Sequence, residues 1–476
     1  MPVDSKHIFY TEKVLDWDLV SDVLEGERVI KKAGVKYAPK LSGQTVDEYD
    51  AYIERGSFFN ASARTVQGLS GAVMRKEVKI EAPTAVEDML EHITVDGVGI
   101  KDVTRILVDN LISFGYYGIL ADVYSGDGPT TPFFSLYGAR DIYNWQYEYS
   151  NETGLKLTML VLKEEEYEPE ADDKYEMVAK EQLRVITLEE GSCISKVYRK
   201  GEDAEWYQVK DKDGNSEKVM KLRGMKFDFI PFQFYGAVAN VPAPCHPPLI
   251  NLMYTNLQHW KLDVDYHHGL HFCAIPTPWA AGFPVEQQLH IGGTKAWVSE
   301  DSKANCGFLE FTGQGLAAIK DAMADIQKMM AVLGARLLEE QKKAAEAAET
   351  LRIRSSGDTA TLSTIVGNIE SGLTTQIEWV RDWMGKSGEV TVSMNKDFVS
   401  SRLAPQDVEV LLKTVQSGEI SQETFLRNLK EGEILGDDTS VEEEIEKIEL
   451  ETNNEEFANP SQFMRPGTGA TPATLF

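Results

Sequence analysis

Seven apolar residues, Leu316, Ile319, Met323, Ile326, Met330, Leu333 and Leu337, follow one another at alternating intervals of three and four. That heptad rhythm predicts a helix over 313–340, roughly 40 Å long at 1.5 Å per residue, whose seam needs a packed neighbour along its length. A second stripe, Leu362, Ile365, Val366, Ile369, Leu373, Ile377 and Val380, marks the buried face of another long helix, with Asp358 as its N-cap. Between the stripes the run ETLRIRSSGDTATLSTIVGNIE (349–370) carries a break. Ser355, Ser356 and Gly357 supply adaptable backbone there, and Lys342, Lys343, Arg352 and Arg354 make a small basic group. A mobile loop of this kind between two stiff helices suits transient contact with phosphates. A solvated helix end with i,i+4 charge pairs is the plainer alternative.

The rest of the chain mixes periods. Val66, Leu69 and Val73, and then Val103, Ile106, Leu107 and Leu111, are spaced for helices. Short runs rich in β-branched and aromatic residues follow: ILADVY, LKLTMLVL, EQLRVITLEE, CISKVYRK and EWYQVKDKDGN. Residues 1–246 therefore read as an α+β region. From Pro247 the texture changes, because two prolines open a helical stripe through Leu249, Met253, Asn256, Trp260 and Val264. Prolines and glycines over 271–312 forbid a long helix and predict short strands and turns. After a strand candidate, EVTVSMNKDF, come small helices closed by Gly418 and Gly432 and a capping-box start at Ser440 and Glu443. Residues 454–476 form a Pro/Thr/Gly/Ala tail too poor in apolar residues to fold. The fold class expected is α+β, mainly helical.

Composition narrows the function. A chain of 476 residues has room for two or three domains. Its 48 Lys+Arg against 76 Asp+Glu leave a net charge of −28, which argues against a surface that coats nucleic acid. It leaves open a protein that lets DNA pass an acidic wall with few contacts. The four cysteines are scattered without a C-x-x-C, and no apolar run approaches the roughly 20 residues of a membrane span. A soluble protein of a reducing compartment, away from membranes, is expected.

The chemical motifs are weak. Gly313-Gln-Gly315-Leu-Ala-Ala318 matches a dinucleotide fingerprint, but no second strand follows at the needed distance, so a glycine-eased helix entry is the better reading. No phosphate-binding G-x-x-x-x-G-K-[ST] and no G-x-S-x-G elbow occurs. Six of the eight histidines fall between His246 and His290, and His267, His271 and Cys273 have a metal-like spacing. A metal-dependent nuclease or hydrolase built on that cluster is the rival reading. A single loose cluster is poor support for zinc, so these histidines are expected to be structural and no metal or cofactor is expected.

Taken in order, these pieces resemble a tailed-bacteriophage portal protein, the head-to-tail connector. The likeness rests on YAPKLSGQTVDEYDAYIERGSFFNASARTVQGLSGAVMRK, PPLINLMYTNLQHWKLDVDYHHGLHFCAIPTPWAAGF, GARLLEEQKKAAEAAETLRIRSSGDTATLSTIVGNIE and LLKTVQSGEISQETFLRNLKEGEIL. The resemblance implies an α+β wing (1–246), a two-helix stem (247–270 and 313–340) and a small α/β clip (271–312). It further implies a tunnel loop (341–357), a long wing helix with a returning strand (358–404), an α-helical crown (405–453) and the disordered tail. Such proteins form rings, usually of twelve, that pass double-stranded DNA at the capsid portal vertex during packaging, retention and ejection. On that reading Lys342, Lys343, Arg352 and Arg354 meet DNA, with Ser355, Ser356 and Gly357 as the loop hinge. Leu316, Ile319, Met323, Ile326, Met330 and Leu333 form an inter-subunit seam. The implied partners are further copies, the terminase packaging motor, a head-completion or adaptor (neck) protein and the major capsid protein. No catalysis in the chain itself is expected; it would be assembled in the host cytoplasm and end in the virion.

Overall fold

The computed structural model describes residues 2–123, 131–150, 154–169, 175–201, 203, 205–210, 214–222, 225–274, 277–284, 286, 288–290, 296–309, 313–334, 348–396, 398, 405–431, 434–435 and 439–453. For 150, 222, 225, 277, 348–360, 405–407, 431, 449 and 451–453 only the backbone is described. The chain is mixed α/β, 45% helix against 24% strand, so helix predominates. It divides into two compact units, residues 1–396 and 397–476. The expected disordered tail lies outside the described residues. Among the described residues, no helix is long and apolar enough to cross a membrane.

The first unit opens with α1 (Ile8–Glu25), α2 (Glu27–Ala33), α3 (Val46–Arg55) and α4 (Ala61–Val73). Gly26, at φ 90°, turns the chain between α1 and α2, a conformation that costs a glycine little. Thr45 and Glu48 close a reciprocal capping box on α3, and Asn60 Oδ1 accepts from the Ala63 N–H to cap α4. The strand β1 (Lys79–Glu81), α5 (Thr84–Leu90) and α6 (Ile100–Ser113) follow. On α6, Val103, Leu107 and Leu111 are fully buried.

Two sheets come next. β2 (Tyr116–Val123) is buried at every residue and lies between β3 (Pro132–Gly138) and the later β12 (Phe232–Gly236). The strands β4 (Ile142–Ser150), β5 (Gly154–Pro169), β6 (Met177–Glu189), β7 (Ser192–Lys200) and β8 (Trp206–Gln208) form an antiparallel meander, with β9 (Lys218–Val219) also on β7. β10 (Lys221–Leu222) and β11 (Met225–Lys226) make a small hairpin.

A buried charge cluster ties the two sheets. Arg184 of β6 donates from Nη2 to Asp122 Oδ2 of β2 at 2.5 Å and from Nε to Ser195 Oγ at 3.0 Å. Glu164 of β5 accepts from Tyr137 of β3 at 2.6 Å and from Gln182 at 2.9 Å. Burial works against the charge on Arg184, but Asp122 and Glu164 beside it more than offset that, so the guanidinium stays protonated. Burial also pushes the nearby Cys193 thiol up to about 12, which leaves it unreactive. An aromatic seam runs alongside: Trp17 of α1 stacks at 6.2 Å on Tyr116, which meets Trp145 and Phe234.

The unit continues with α7 (Ile250–Ala274), β13 (Thr277–Ala281), β14 (Asn305–Leu309), α8 (Gln314–Val332), α9 (Ala348–Trp383) and β15 (Thr391–Ser393), which pairs with β1. The face of α9 from Leu362 to Val380 is buried against α6 and β12. Gln376, with no exposed surface, accepts from Tyr235 Oη at 2.6 Å and donates to the Ile119 carbonyl at 2.9 Å. One turn earlier, Gly372 leaves room for the Tyr235 ring; a Cβ there would sit 2.3 Å from it. A turn earlier again, Asn368 donates to the Gly236 carbonyl, and its own carbonyl accepts from Asn240.

The second unit contains α10 (Pro405–Gln416), α11 (Gln422–Glu431) and α12 (Val441–Asn453), each packed on the next. Leu426 and Leu429 are buried, Ser421 caps α11, and Ser440 Oγ accepts from the Glu443 N–H.

Replacing Gln376 by Leu strands a tyrosine hydroxyl and a strand carbonyl in the interior, at about 1–3 kcal/mol for each group. Gln376→Leu should therefore lower the unfolding free energy by roughly 2–5 kcal/mol in a denaturant titration. Ser371→Ala, at an exposed position of the same helix, should change it by less than about 0.5 kcal/mol.

Candidate functional site

The segment with the most distinctive geometry is the helix pair α7–α8 with the hairpin β13–β14 between them. The proximal part of α7 is built into the first unit by polar contacts as well as apolar ones. Asn256 is fully buried; its Oδ1 accepts from the N–H and hydroxyl of Ser62, both at 3.0 Å, and its Nδ2 donates to the Phe59 carbonyl. Asp263 Oδ2 accepts from the Ser57 N–H at 2.7 Å. Leu257, Trp260 and Val264 on the same stretch are buried, and Gly56 lets the chain run hard against Val264.

The distal part is different. Every residue from Asp265 to Ala274 is half-buried or exposed, and so is every residue of α8 from Gln314 to Asp325. The hairpin beyond them pairs Thr277–Ala281 with Asn305–Leu309 and carries exposed Trp279, Phe308 and Leu309. Phe272 on the last turn of α7 is also exposed. Cover is thus lost steadily from the rooted end of the pair toward the hairpin. A two-stranded hairpin gains little stability on its own in water.

The heptad seam faces inward. Ile326 and Met330 are buried against Leu252 and Ala61, with Leu249, Leu262 and Leu333 around them. Leu316 packs over Gly269, where a Cβ would lie 2.6 Å from its side chain. Ile319 and Met323 are half-buried. Within the chain the seam's neighbour is α7, against which Ile326 and Met330 are buried; contact of the six residues with another subunit stays an expectation. Periodicity announces that a helix has a partner without saying which. The large apolar residues that α8 presents to solvent are Met329 and Val332, 54% and 65% exposed, on the flank of the seam.

The helix limits also shift. α7 runs four residues past 270 and takes His271 and Cys273 with it. α8 stops at Val332, and Gly334 beyond it has φ 155°, which a helix excludes. Its start at Gly313, in the left-handed region at φ 65°, is the glycine entry expected, and the chain goes on to another helix. The larger correction concerns the expected tunnel loop. α9 begins at Ala348, so Arg352, Arg354, Ser355, Ser356 and Gly357 lie on helical backbone, and Asp358 is an interior position instead of an N-cap. One glycine costs a helix about 1 kcal/mol, and the run of Ala348, Glu349, Leu351 and Arg352 ahead of it favours helix enough to carry through. Lys342 and Lys343 lie outside the described residues, and of the two arginines only the backbone is described.

The histidines are dispersed over different contacts. His246 sits 2.8 Å from Lys13 Nζ and 3.5 Å from Asp16. His259 faces Gln327 of α8, His267 bonds Asp263, and His268 meets Arg55 of α3. Among the described residues no three His, Cys, Asp or Glu side chains converge as metal ligands would. Asn256 was placed on the helical stripe of α7, but Asp263 and Gln376 were missed by sequence reasoning, because a polar residue within such a stripe carries no mark of burial.

A family model described as a domain of unknown function (DUF4055) matches residues 248–384, which span α7 to the end of α9. No curated protein matches the sequence. Among solved structures, the virion of a native gene transfer agent particle aligns at 12% identity and TM-score 0.38, over 84% of this chain and 96% of the other. The neck of an empty gene transfer agent particle, computed with C6 symmetry, aligns at 12% identity and TM-score 0.39, over 78% and 90%. The neck of the native particle, computed with C12 symmetry, gives 12% and 0.36 over 85% and 98%. At these scores no inference about this chain follows from them.

The inward seam makes a direct prediction. Met330→Asp buries a carboxylate among Leu252, Ala61 and Ile326, which costs several kcal/mol unless it is protonated. Thermal melting should show a large loss of stability for Met330→Asp and almost none for Met329→Asp on the exposed side.

Proposed function

We propose that this chain is the repeating subunit of a phage-type portal, a ring-shaped channel through which double-stranded DNA is packaged, held and released. The observation that carries this reading is the loss of cover along α7 and α8 toward an exposed hairpin. Copies arranged side by side would flank each such pair, and a closed ring gives every subunit two neighbours. The order of elements supports it: an α/β body, a helix, a hairpin, a helix, and a long helix returning to the body. In portal terms these would be wing (1–246), stem, clip (271–312), stem and long wing helix, with the crown (405–453) in the second unit.

The charge fits the same role. A net charge of −28 makes a poor DNA-coating surface and a suitable channel wall, since like charge keeps a moving duplex from sticking. Lys342, Lys343, Arg352 and Arg354 would be the few cations near the passing strand. With the helix entering at Ala348, the arginines would be carried on the first turns of α9, and only 335–347 would remain as connection. The chemistry of DNA movement would belong to a separate terminase motor, with an adaptor protein and the major capsid protein as further neighbours at the vertex. No specific observation favours the metal-hydrolase alternative.

Native mass spectrometry of the purified chain should give a closed ring of about twelve copies. A monomer at micromolar concentration would sink the reading. Replacing Lys342, Lys343, Arg352 and Arg354 together by Ala should leave ring formation intact and lower the amount of DNA packaged or kept, because phosphate contacts are electrostatic and carry no assembly energy. Normal packaging by that variant would reduce the segment to a structural turn.

A further inference from the structure

The joint where α3, α7 and α8 meet is built around two imidazoles, His268 and His259, one on each side of α7. His268 lies toward α3: its Nδ1 is 3.3 Å from Arg55 Nη1, and its ring stands edge-on to Tyr52 at 5.1 Å. Arg55 is itself held by the Ala51 carbonyl at 2.8 Å, so the guanidinium cannot swing away freely. A guanidinium only donates; the ring nitrogen it addresses must be an unprotonated acceptor. His259 lies toward α8, 2% exposed, with Nε2 3.0 Å from the Gln327 amide. Its Nδ1 is buried without a hydrogen-bond partner.

Among the described residues, the charged surroundings of the two rings are few. His268 is faced by Arg55 and Tyr52 from α3 and by His271 and Asp265 from its own helix. Asp265 is engaged by the Tyr52 hydroxyl at 2.6 Å. His259 is faced by Asp263 from its own helix and by neutral Gln327 from α8. Asp263 is in turn committed to the Ser57 N–H and to His267. On α8, Asp325 and Lys328 are exposed and pair with each other at 2.9 Å.

We propose that this joint is a proton-sensitive catch: neutral His259 and His268 hold α3 and α8 onto α7, and protonating them releases the grip. A proton on His268 sets two cations face to face across the Arg55 contact. A proton on His259 puts a charge inside the α7–α8 interface, where Gln327 can turn its carbonyl to meet only one of the two N–H groups. The released segment is the distal helix pair with its hairpin, so the catch controls how firmly that pair is rooted.

Burial first, and then Arg55 and His271, lower the affinity of His268 for a proton; burial lowers that of His259 against the pull of Asp263. Protons therefore bind the unlatched rings more readily than the latched ones. The joint is at full strength above about pH 6.5 and loses stability as the pH falls below it.

The test uses the full chain in its native assembly. Exchange at the histidine C2 hydrogens, read by mass spectrometry across a pH series, should show His259 and His268 titrating below the ordinary histidine range. Backbone hydrogen exchange, corrected for intrinsic rate, should rise between pH 7.5 and 5.5 in peptides covering 46–58 and 255–272. The gain expected is up to roughly tenfold per ring for each pH unit below about 6.5. His268→Gln keeps an acceptor for Arg55 and should remove part of that gain, and adding His259→Gln should remove the rest. Ordinary or raised titration of both rings in the wild-type chain overturns the proposal, whether or not the double variant folds. So does a pH response that survives in a folded double variant.

Discussion

The docking of α9 on the central three-stranded sheet is the constraint on which the first unit depends. It is set by one buried amide. Gln376 has no exposed surface and satisfies both ends of its amide, toward the Tyr235 hydroxyl and the Ile119 carbonyl. An apolar face alone lets a helix slide or roll at modest cost, since one methyl packs much like another. A fully satisfied buried amide does not, because a shift by one residue leaves an amide, a hydroxyl and a carbonyl unpaired at once. Gly372 adds a steric stop to this electrostatic one, and Asn368 adds a third contact along the same line. With α9 fixed, β15 is delivered to β1, and the two ends of the unit are joined.

The second constraint couples the sheets. The Arg184–Asp122 pair and the Tyr137–Glu164 bond cross from one sheet to the other inside the protein. Such clusters add little net stability over an apolar core, but removing one member leaves an uncompensated charge. They act on register: only one alignment of β6 against β2 brings the guanidinium to its carboxylate. The Trp17–Tyr116–Trp145 seam fills the remaining space with surfaces that tolerate small displacements.

What could be read from the sequence follows from this division. The face of α9 from Leu362 to Val380 and the stripe of α6 were legible because core helices repeat with a 3.6-residue period. The strand runs that became β2, β5, β6, β7 and β8 were legible from β-branched and aromatic content, though not their order. The seam from Leu316 to Leu333 was legible as a packed face, but its partner was not, since the same spacing serves a helix in the chain or one in another chain. The break at Ser355–Gly357 was read from residue types that punctuate loops, and the flanking helix formers overrode it. Least visible were Asp263, Gln376 and the polar partner of Asn256, a residue whose place on the α7 stripe was itself legible. These contacts depend on a hydroxyl, a backbone N–H or a carbonyl supplied from more than 100 residues away.

The anchor on α9 leaves a trace of its own. Asn368, Gly372 and Gln376 stand four residues apart, and so fall along one nearly straight line on the helix. The pattern N-x-x-x-G-x-x-x-Q set within an apolar helical stripe therefore describes a docking geometry rather than a composition. Its glycine admits an aromatic ring, and its two amides reach backbone on either side of that ring. A distant chain could lose nearly all identity in the surrounding stripe, where any aliphatic residue serves, and still have to keep these three positions together. As a search pattern they would find relatives of this fold that overall identity passes over.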